Sequence, residues 1–254
     1  KEAWKLYRFA ADWTWQDTYI DVGDINGDGR PDIVMSPSEP AGKKYRLSWF
    51  AAPRNPRDSW PEHIVAENVE ATRHFVGLAD FDRDGHLDIA TATMHQSTGP
   101  VGIEVYLNNR LGKEWSKRTI ANIGSHNMRI LDVDSDGDPD LFGANWSGSD
   151  QQILLWVNQT CSPAKGCPSW RRHVIDDKRP GKAVFIFPAD IDGDGRVDIA
   201  AGGFWYRNPG RPDGNWERRA FGDPANDLVL LADLDGDGDT DAILTRWRES
   251  KADS

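Results

Sequence analysis

Asp190-Ile-Asp-Gly-Asp-Gly-Arg-Val-Asp198 is one of five copies of an acidic nine-residue motif in this chain. It has carboxylates at positions 1, 3, 5 and 9 and glycine at position 6, where a sharp turn can bring alternate side chains together. Asp and Gly are ordinary turn residues, so five acidic surface turns are the simplest alternative. Five copies in one register favour a common role instead. In chain order they are loop 1 (Asp24–Asp32), loop 2 (Asp80–Asp88), loop 3 (Asp132–Asp140), loop 4 (Asp190–Asp198) and loop 5 (Asp233–Asp241).

The motif predicts loops that bind a hard cation. Ca²⁺ takes six or more oxygen ligands at roughly 2.3–2.6 Å, and carboxylates packed this closely repel one another unless a cation lies between them. An EF-hand is the competing calcium-binding structure, and it needs Glu at position 12 and a helix on each side. The residues at position 12 are Met35, Thr91, Gly143, Ala201 and Leu244. We therefore expect about five structural Ca²⁺ ions in loops flanked by strands.

Charge outside the motifs differs from the overall balance. The 254-residue chain has a formal net charge of −11, but 21 of its 41 acidic residues lie inside the five motifs. Five bound Ca²⁺ would bring the charge to about −1 and leave a mildly basic, Arg-rich surface. That surface suits carboxylated or sulfated ligands or is an ordinary mixed surface. The basic residues form no stripe, which disfavours binding to nucleic acid. The sequence contains no run of about twenty apolar residues, so we expect no membrane-spanning helix.

Two features indicate a secreted, extracellular or periplasmic location. Cys161 and Cys167 lie in a polar segment with Pro and Gly, and a local disulfide between them would need an oxidising compartment. The millimolar Ca²⁺ that suits weak loop sites is an extracellular condition. Asn145-Trp-Ser147 and Asn158-Gln-Thr160 also match the glycosylation acceptor pattern, which often occurs by chance.

A second repeat runs in step with the acidic loops. A Trp-led segment with alternating polar and apolar residues precedes each loop by 17 or 20 residues, and alternation is typical of half-buried strands. An apolar run enters each loop and another leaves it, so each unit contains four strands: A before the loop, B after it, then C, and D led by Trp. Four strands at a period near fifty residues predict an all-β fold, a β-propeller. The Trp-led segments begin at Trp4, Trp60, Trp115, Trp170 and Trp216.

The strand pattern predicts a single β-propeller domain, residues 1–254, with about five four-stranded blades. A closed ring removes exposed sheet edges, so we expect the N-terminal D strand to complete the last blade, which lacks a C strand. The alternatives are a three-stranded last blade or a chain cut from a longer propeller. The predicted units are roughly 17–67, 72–122, 125–176, 182–221, and 227–247 together with 4–10.

The chain resembles the FG-GAP/VCBS repeat family over nearly its whole length. The resemblance lies in the repeated order of an apolar strand, the motif Asp-x-Asp-x-Asp-Gly-x-x-Asp and a second apolar strand. That family includes calcium-bearing propellers of integrin α chains, fungal lectins and propeller polysaccharide lyases. Asn26 departs from the motif, and the FG and GAP elements are not intact. The resemblance implies calcium ligands at positions 1, 3, 5 and 9, which are Asp24, Asn26, Asp28, Asp32, Asp80, Asp82, Asp84, Asp88, Asp132, Asp134, Asp136, Asp140, Asp190, Asp192, Asp194, Asp198, Asp233, Asp235, Asp237 and Asp241. It also implies backbone carbonyl ligands at position 7, which are Arg30, His86, Asp138, Arg196 and Asp239.

Strand direction predicts that the ligand site lies opposite the acidic loops. The D–A and B–C connections meet on that other face, where the resemblance implies that partners bind. They bring His74, His95, His126 and Arg73 as candidate catalytic residues. Three imidazoles could hold Zn²⁺ or Cu²⁺, or one could abstract a proton beside a uronate carboxylate that Arg73 neutralises. Alternatively, His74 and His126 bond to the backbone of a neighbouring blade.

The same connections bring candidate sugar-binding residues. Trp146 and Trp247 follow B strands, where an indole could stack on a sugar ring, and Lys182 and Glu39 lie in neighbouring loops. Trp13 and Trp15 precede the first blade. The alternative is that these indoles fill the space between blades.

Three functions agree with this pattern. The first is an extracellular, calcium-stabilised propeller that binds carbohydrate, including anionic polysaccharide, or a protein partner without catalysis. The second is a polysaccharide lyase or sugar dehydratase that uses the His and Arg residues. The third is a repeat module for adhesion or spacing. No Ser nucleophile motif or phosphate-binding loop is present in the sequence.

Overall fold

The computed structural model describes residues 4–147, 151–159, 169–223 and 227–246. Within those ranges the chain is all β, with eighteen strands and no helix. The strands fall into two compact units, Lys1–Gly124 and Ser125–Ser254. No described helix could cross a membrane.

The first unit contains two four-stranded antiparallel sheets, in each of which neighbours in sequence pair in space. Apolar side chains of both sheets meet in a core that includes Leu47, Trp49, Val76 and Ile89. The strands are β1 (Thr18–Gly23), β2 (Asp32–Pro37), β3 (Lys44–Phe50) and β4 (Glu62–Glu70), then β5 (Arg73–Ala79), β6 (Asp88–Thr93), β7 (Ile103–Asn108) and β8 (Trp115–Ala121).

The second unit contains two further four-stranded sheets and, among its described residues, one two-stranded sheet. One core joins Phe142 and Leu155 to Ile186 and Tyr206, and a smaller cluster includes Trp205 and Leu228. The strands are β9 (Asn127–Leu131), β10 (Asp140–Ala144), β11 (Ile153–Gln159) and β12 (Ser169–Asp176), then β13 (Ile186–Ala189), β14 (Asp198–Ala201), β15 (Phe204–Arg207) and β16 (Glu217–Ala220), and finally β17 (Asp227–Ala232) and β18 (Asp241–Thr245).

Each acidic loop connects the first two strands of a sheet, as the sequence predicts. The ninth residue of the motif opens the second strand and pairs with the last residue of the first strand. Ala79 pairs with Asp88 in this way, and Ala189 pairs with Asp198. The predicted order of strands A, B, C and D is the observed order in all four complete sheets.

Residues 4–10 do not form the predicted closing strand. They have no strand assignment, and the side chains of Trp4 and Leu6 are exposed. Phe9 instead packs against Phe50 and Trp60, with ring centroids 5.6 and 5.4 Å apart. This aromatic contact fixes the segment to the side of the first sheet. The last sheet has two strands in the described residues, so a ring of five complete blades stays a prediction.

Some sequence predictions lie outside the described residues. They are the disulfide between Cys161 and Cys167 and the stacking role of Trp247.

Candidate metal loops and ligand clefts

The ninth residue of the motif is a buried hydrogen-bond centre. Asp88 is fully buried, and its two oxygens accept backbone N–H groups from Phe81, at 2.8 Å, and from Asn108, at 2.7 Å. These bonds join the loop to the third strand of the sheet. Burial nevertheless raises the pKa of Asp88 to about 7. The same burial and the same two kinds of bond occur at Asp32, Asp140 and Asp198.

The first residue of the motif holds the turn. Asp80 accepts the backbone N–H of Asp84 at 3.1 Å and that of Gly85 at 2.9 Å. Gly85 has φ of 89°, a left-handed conformation that favours glycine. The corresponding bonds occur in loops 1, 3 and 4. The requirement for glycine at position 6 is therefore confirmed.

Carboxylates converge in loops 2 to 5. In each of these loops, three ligand oxygens lie within 4.8 Å of one another. One oxygen of Asp82 and one of Asp134 are buried and have no hydrogen-bond partner in the protein. Burial, followed by the neighbouring carboxylates, raises the pKa of both groups. The sets are Asp80, Asp82 and Asp88; Asp132, Asp134 and Asp136; Asp190, Asp192 and Asp194; and Asp233, Asp235 and Asp241.

This donor set fits a hard cation. Oxygen ligands at short range and buried oxygens without partners are what Ca²⁺ coordination uses. Loop 1, which the structure describes in full, forms no such set; it has Asn26 at position 3, and Arg30 forms an ion pair with Asp28. The residues of loops 2 to 5 could therefore hold the metal, and loop 1 is the least suited.

Asparagine side chains link successive acidic loops, a role that sequence reasoning missed. The amide of Asn108 donates to the carbonyls of Ile25, at 2.9 Å, and Leu87, at 3.1 Å, which belong to loops 1 and 2. Asn208 donates in the same way to carbonyls of loops 3 and 4, at 3.0 and 2.9 Å. The sequence does carry a signal, because Asn108, Asn158 and Asn208 lie at or next to the ends of the C strands, at intervals of fifty residues.

A cleft of about 460 Å³ lies between the two sheets of the first unit. Glu104 lines it and receives bonds from Arg73 at 2.8 Å, from Lys117 at 3.0 Å and from the hydroxyl of Tyr106 at 3.0 Å. Trp115 lines the same cleft. The cleft thus combines two aromatic rings with a fixed set of charged groups.

The second unit has an equivalent cleft of about 530 Å³. Asp176, a carboxylate that lines it, accepts bonds from the hydroxyl of Tyr206 at 2.9 Å and from Arg218 at 2.7 Å. Tyr206 lies on β15 as Tyr106 lies on β7. Arg218 follows Trp216 by two residues, as Lys117 follows Trp115. The repeat thus builds a similar cleft twice.

Of the predicted catalytic residues, Arg73, His74 and His95 lie in the first unit and His126 lies in the second. His74 is buried, and its Nε2 atom lies 2.8 Å from Glu39. Burial lowers the pKa of His74 although Glu39 acts in the opposite direction, and His95 is close enough to lower it further. Arg73 faces the first cleft, where Glu104 already neutralises it. None of the four acidic sets in the described residues contains a histidine.

The remaining predicted residues lie in the second unit or pack within the first. The ring of His126 lies 6.1 Å from that of Trp146, and the Lys182 ammonium lies 5.2 Å from the same indole. Neither unit alone contains all three predicted histidines. Trp13 and Trp15 both pack against Tyr45, at 5.0 and 5.2 Å, which favours the space-filling alternative for these two indoles.

The repeated sheets with acidic loops define a class of all-β repeat protein, and the comparisons agree with it. Residues 80–143 and 132–201 match the family described as FG-GAP-like repeat. This chain carries FG-GAP-like repeats, as its motifs predict.

The chain is similar to two curated relatives and one solved structure. T-cell immunomodulatory protein is 25% identical in Rattus norvegicus and 24% in Mus musculus, over 89% of this chain. The chain spans 37% of the length of these relatives. A lectin of Agrocybe aegerita, solved for its specific recognition of non-reducing terminal N-acetylglucosamine, has a TM-score of 0.57 and 20% identity, over 89% of this chain and 60% of the lectin. That likeness supports a β-propeller-like fold.

Proposed function

We propose that this chain is an extracellular or periplasmic, calcium-stabilised repeat protein that binds carbohydrate without catalysing a reaction. The observation that carries the proposal is the recurrence of one cleft chemistry, with Trp, Tyr and a bonded carboxylate, in both units. The ions would lie in loops 2 to 5 and neutralise the converging carboxylates there. Their role is structural, because they stabilise the turn that opens each sheet.

The clefts have the chemistry of a sugar site. An indole offers an apolar face to the C–H groups of a sugar, and the half-buried Trp115 borders the first cleft. The hydroxyls of Tyr106 and Tyr206 orient the carboxylates of Glu104 and Asp176. The charges of Arg73 and the bonds from Lys117 and Tyr106 outweigh the effect of burial and lower the pKa of Glu104. Glu104 is therefore an ionised, oriented acceptor that can receive a hydroxyl group.

The balance of charged side chains lining the two clefts favours neutral sugars as ligands. The sequence alone was also compatible with anionic polysaccharides. The first cleft is lined by three basic side chains and three acidic ones, and the second by two of each. A charge-balanced cleft gives no net attraction to a polyanion. Volumes of 300–1,000 Å³ are typical of sites for small ligands, whereas a protein partner usually covers about 800 Å². The lectin similarity supports the same class of ligand.

The face opposite the acidic loops is a second possible location within the same function. In the first unit, Trp15, Asp17, Pro40 and Lys43 border a cavity of about 280 Å³ there. It is smaller than either cleft. The lyase alternative is not favoured. It needs Arg73 to neutralise a uronate carboxylate, and Arg73 already forms an ion pair with Glu104.

Glycan binding tests the proposal directly. The calcium-loaded chain is applied to an array of neutral and uronate oligosaccharides, and hits are measured by calorimetry. Replacing Lys117 and Arg218 by Gln should weaken binding of a neutral sugar about fivefold to tenfold, because each removes a charge-assisted bond near the ligand. Arg219→Gln is the matched control, since Arg219 pairs with Glu217 on β16.

Three outcomes decide between the sites and the function. Weakening by the Lys117 and Arg218 substitutions supports the clefts, and weakening only by Asp17→Asn and Lys43→Gln would move the site to the smaller cavity. A folded, calcium-loaded chain that binds no glycan would contradict carbohydrate binding.

A further inference from the structure

Two guanidinium groups lie among the carboxylates of loop 4. Arg207 approaches from β15, with Nε 2.5 Å from Asp192 and Nη2 2.9 Å from Asp194. Arg196, at position 7 of the loop, also forms an ion pair with Asp194. The carboxylates of Asp192 and Asp194 are both largely shielded from solvent. Loop 4 therefore holds positive charge of its own.

The arginine from β15 is specific to this sheet. Asn208, the next residue, donates its backbone N–H to the ninth residue of loop 4. The same bond is made by Ala52, Asn108 and Asn158 in the other complete sheets. The residues that precede these three are Ala51, Leu107 and Val157. An aliphatic side chain thus occupies the equivalent position in every other complete sheet.

We infer that Arg207 is a built-in counter-cation that lowers the calcium affinity of loop 4 below that of loops 2 and 3. The inference rests on the structural calcium in the proposed function. A Ca²⁺ ion that uses Asp192 and Asp194 must first displace Arg207 from both carboxylates. Charge-assisted bonds of this kind are stronger than neutral ones, so displacing them opposes binding.

Loops 2 and 3 show the opposite condition. Their third-position carboxylates, Asp82 and Asp134, each have a buried oxygen with no protein partner. In loop 4, by contrast, Asp192 and Asp194 both receive bonds from Arg207, and Asp194 also pairs with Arg196. Asp192 and Asp194 in loop 4 thus have cationic partners from the protein, whereas Asp82 and Asp134 each keep a buried oxygen without a hydrogen-bond partner.

Calcium titration of the 254-residue chain tests the inference. Calorimetry of the wild type should show at least two classes of site. Arg207→Leu reproduces the residue found beside Asn108 and should increase the affinity of one weak site about tenfold. Arg207→Lys keeps a charge but loses the two-point contact, so its affinity should lie between those of the wild type and Arg207→Leu. Arg219→Leu, on the adjacent strand β16, should leave the titration unchanged.

The double variant Arg207→Leu and Asp192→Asn assigns the effect to loop 4. It should lose the gained affinity, and circular dichroism should show that every variant keeps its strands. A titration that Arg207→Leu does not change would overturn the inference while leaving structural calcium intact. A wild-type chain that binds no calcium would overturn both the inference and the calcium part of the proposed function, whereas glycan binding is measured separately.

Discussion

At the scale of single residues, Asp88 contributes to the loop in two ways. Both of its oxygens accept backbone N–H groups, and one lies within the acidic set of loop 2. A buried acceptor of two amides is part of the folded structure with or without a metal. The ninth aspartate is therefore a structural residue as well as a candidate ligand.

Asp88→Asn should destabilise the chain even in excess chelator. The amide would place an NH₂ group against a backbone N–H, and loss of a buried hydrogen bond costs about 1–3 kcal/mol. Urea unfolding measures the change in the free energy of unfolding. Asp213→Asn is the control, because Asp213 is exposed and 3.7 Å from its partner Arg211. Equal stability of the two variants in chelator would show that Asp88 acts only through a metal.

The motif residues were predictable from sequence, whereas their long-range partners were not. Spacing within nine residues fixes which carboxylates converge, and glycine fixes the turn. The partner of Arg73, by contrast, is Glu104, thirty-one positions away. Which residue Arg73 meets depends on the order and register of β5, β6 and β7 within one sheet, and local spacing carries no such information. The same reason explains why Arg207 was not recognised as a partner of loop 4.

At the scale of elements, the side-chain amide of Asn208 joins one sheet to the next, because it donates to carbonyls of loops 3 and 4. We call this pair of hydrogen bonds the asparagine clamp. Asn208→Ala should lower the free energy of unfolding by about 2 kcal/mol, since it leaves the buried carbonyl of Val133 and the half-buried carbonyl of Val197 without their amide donor. Thermal and urea unfolding check this change. Asn109→Ala is the matched control, because Asn109 is exposed and bonds only to Ser116 among the described side chains. If both variants lose the same stability, the clamp contributes nothing.

The turn between β7 and β8 makes a second contact between sheets. A Cβ atom at Gly112 would lie 2.4 Å from the Trp49 ring, and the Trp49 indole donates to the Gly112 carbonyl at 3.2 Å. Gly112→Ala should therefore lower the free energy of unfolding by more than the backbone strain at its φ of 79° alone would. We expect the clash with Trp49 to add a further loss of about 1–3 kcal/mol.

Gly181→Ala separates these two effects. Gly181 has φ of 78° and open space around its Cβ position, so its substitution introduces backbone strain alone. Denaturant unfolding of the two variants gives the difference. A difference near zero would mean that Trp49 moves to accommodate the added methyl group without loss of unfolding free energy.

Local periodicity predicted strands A, B and C well because each has its own apolar pattern and a fixed distance from the loop. It was wrong for residues 4–10, which share the Trp-led pattern of D strands. The pattern specifies a segment able to pair, but Phe9 has aromatic partners in the first sheet. Competition between pairing and packing is a tertiary effect that the pattern does not contain.

At the scale of the whole molecule, the acidic loops link stability to both pH and calcium. The pKa values of Asp88 and Asp140 are raised from 3.8 to about 7. Without calcium, the folded chain keeps these protons between about pH 4 and pH 7 while the unfolded chain has lost them. The folded state binds more protons in that window, so these two groups lower the free energy of unfolding as pH rises.

Titratable groups outside the acidic loops also change stability with pH, so the effect of the loops must be measured as the difference between stability with and without calcium. Burial lowers the pKa values of His74 and His173, and these groups add stability as pH rises towards 6.5. The lowered pKa values of Glu62 and Glu104 matter only at more acidic pH. None of these four groups belongs to an acidic set. Their contributions are therefore the same with and without calcium and cancel in the difference.

We predict that calcium raises the Tm more at pH 8 than at pH 5. At pH 8 the buried carboxylates are ionised and repel one another, so a bound cation relieves the most unfavourable charge; at pH 5 protons have already neutralised Asp88 and Asp140. Scanning calorimetry in chelator and in excess CaCl₂, at pH 5, 6, 7 and 8, measures the difference in Tm at each pH, with MgCl₂ as the ion control. A calcium-induced shift that is constant across this range would mean that the buried ninth residues are not coupled to the metal. A Tm that calcium leaves unchanged at every pH would contradict structural calcium itself, because a ligand that binds only the folded state must stabilise it.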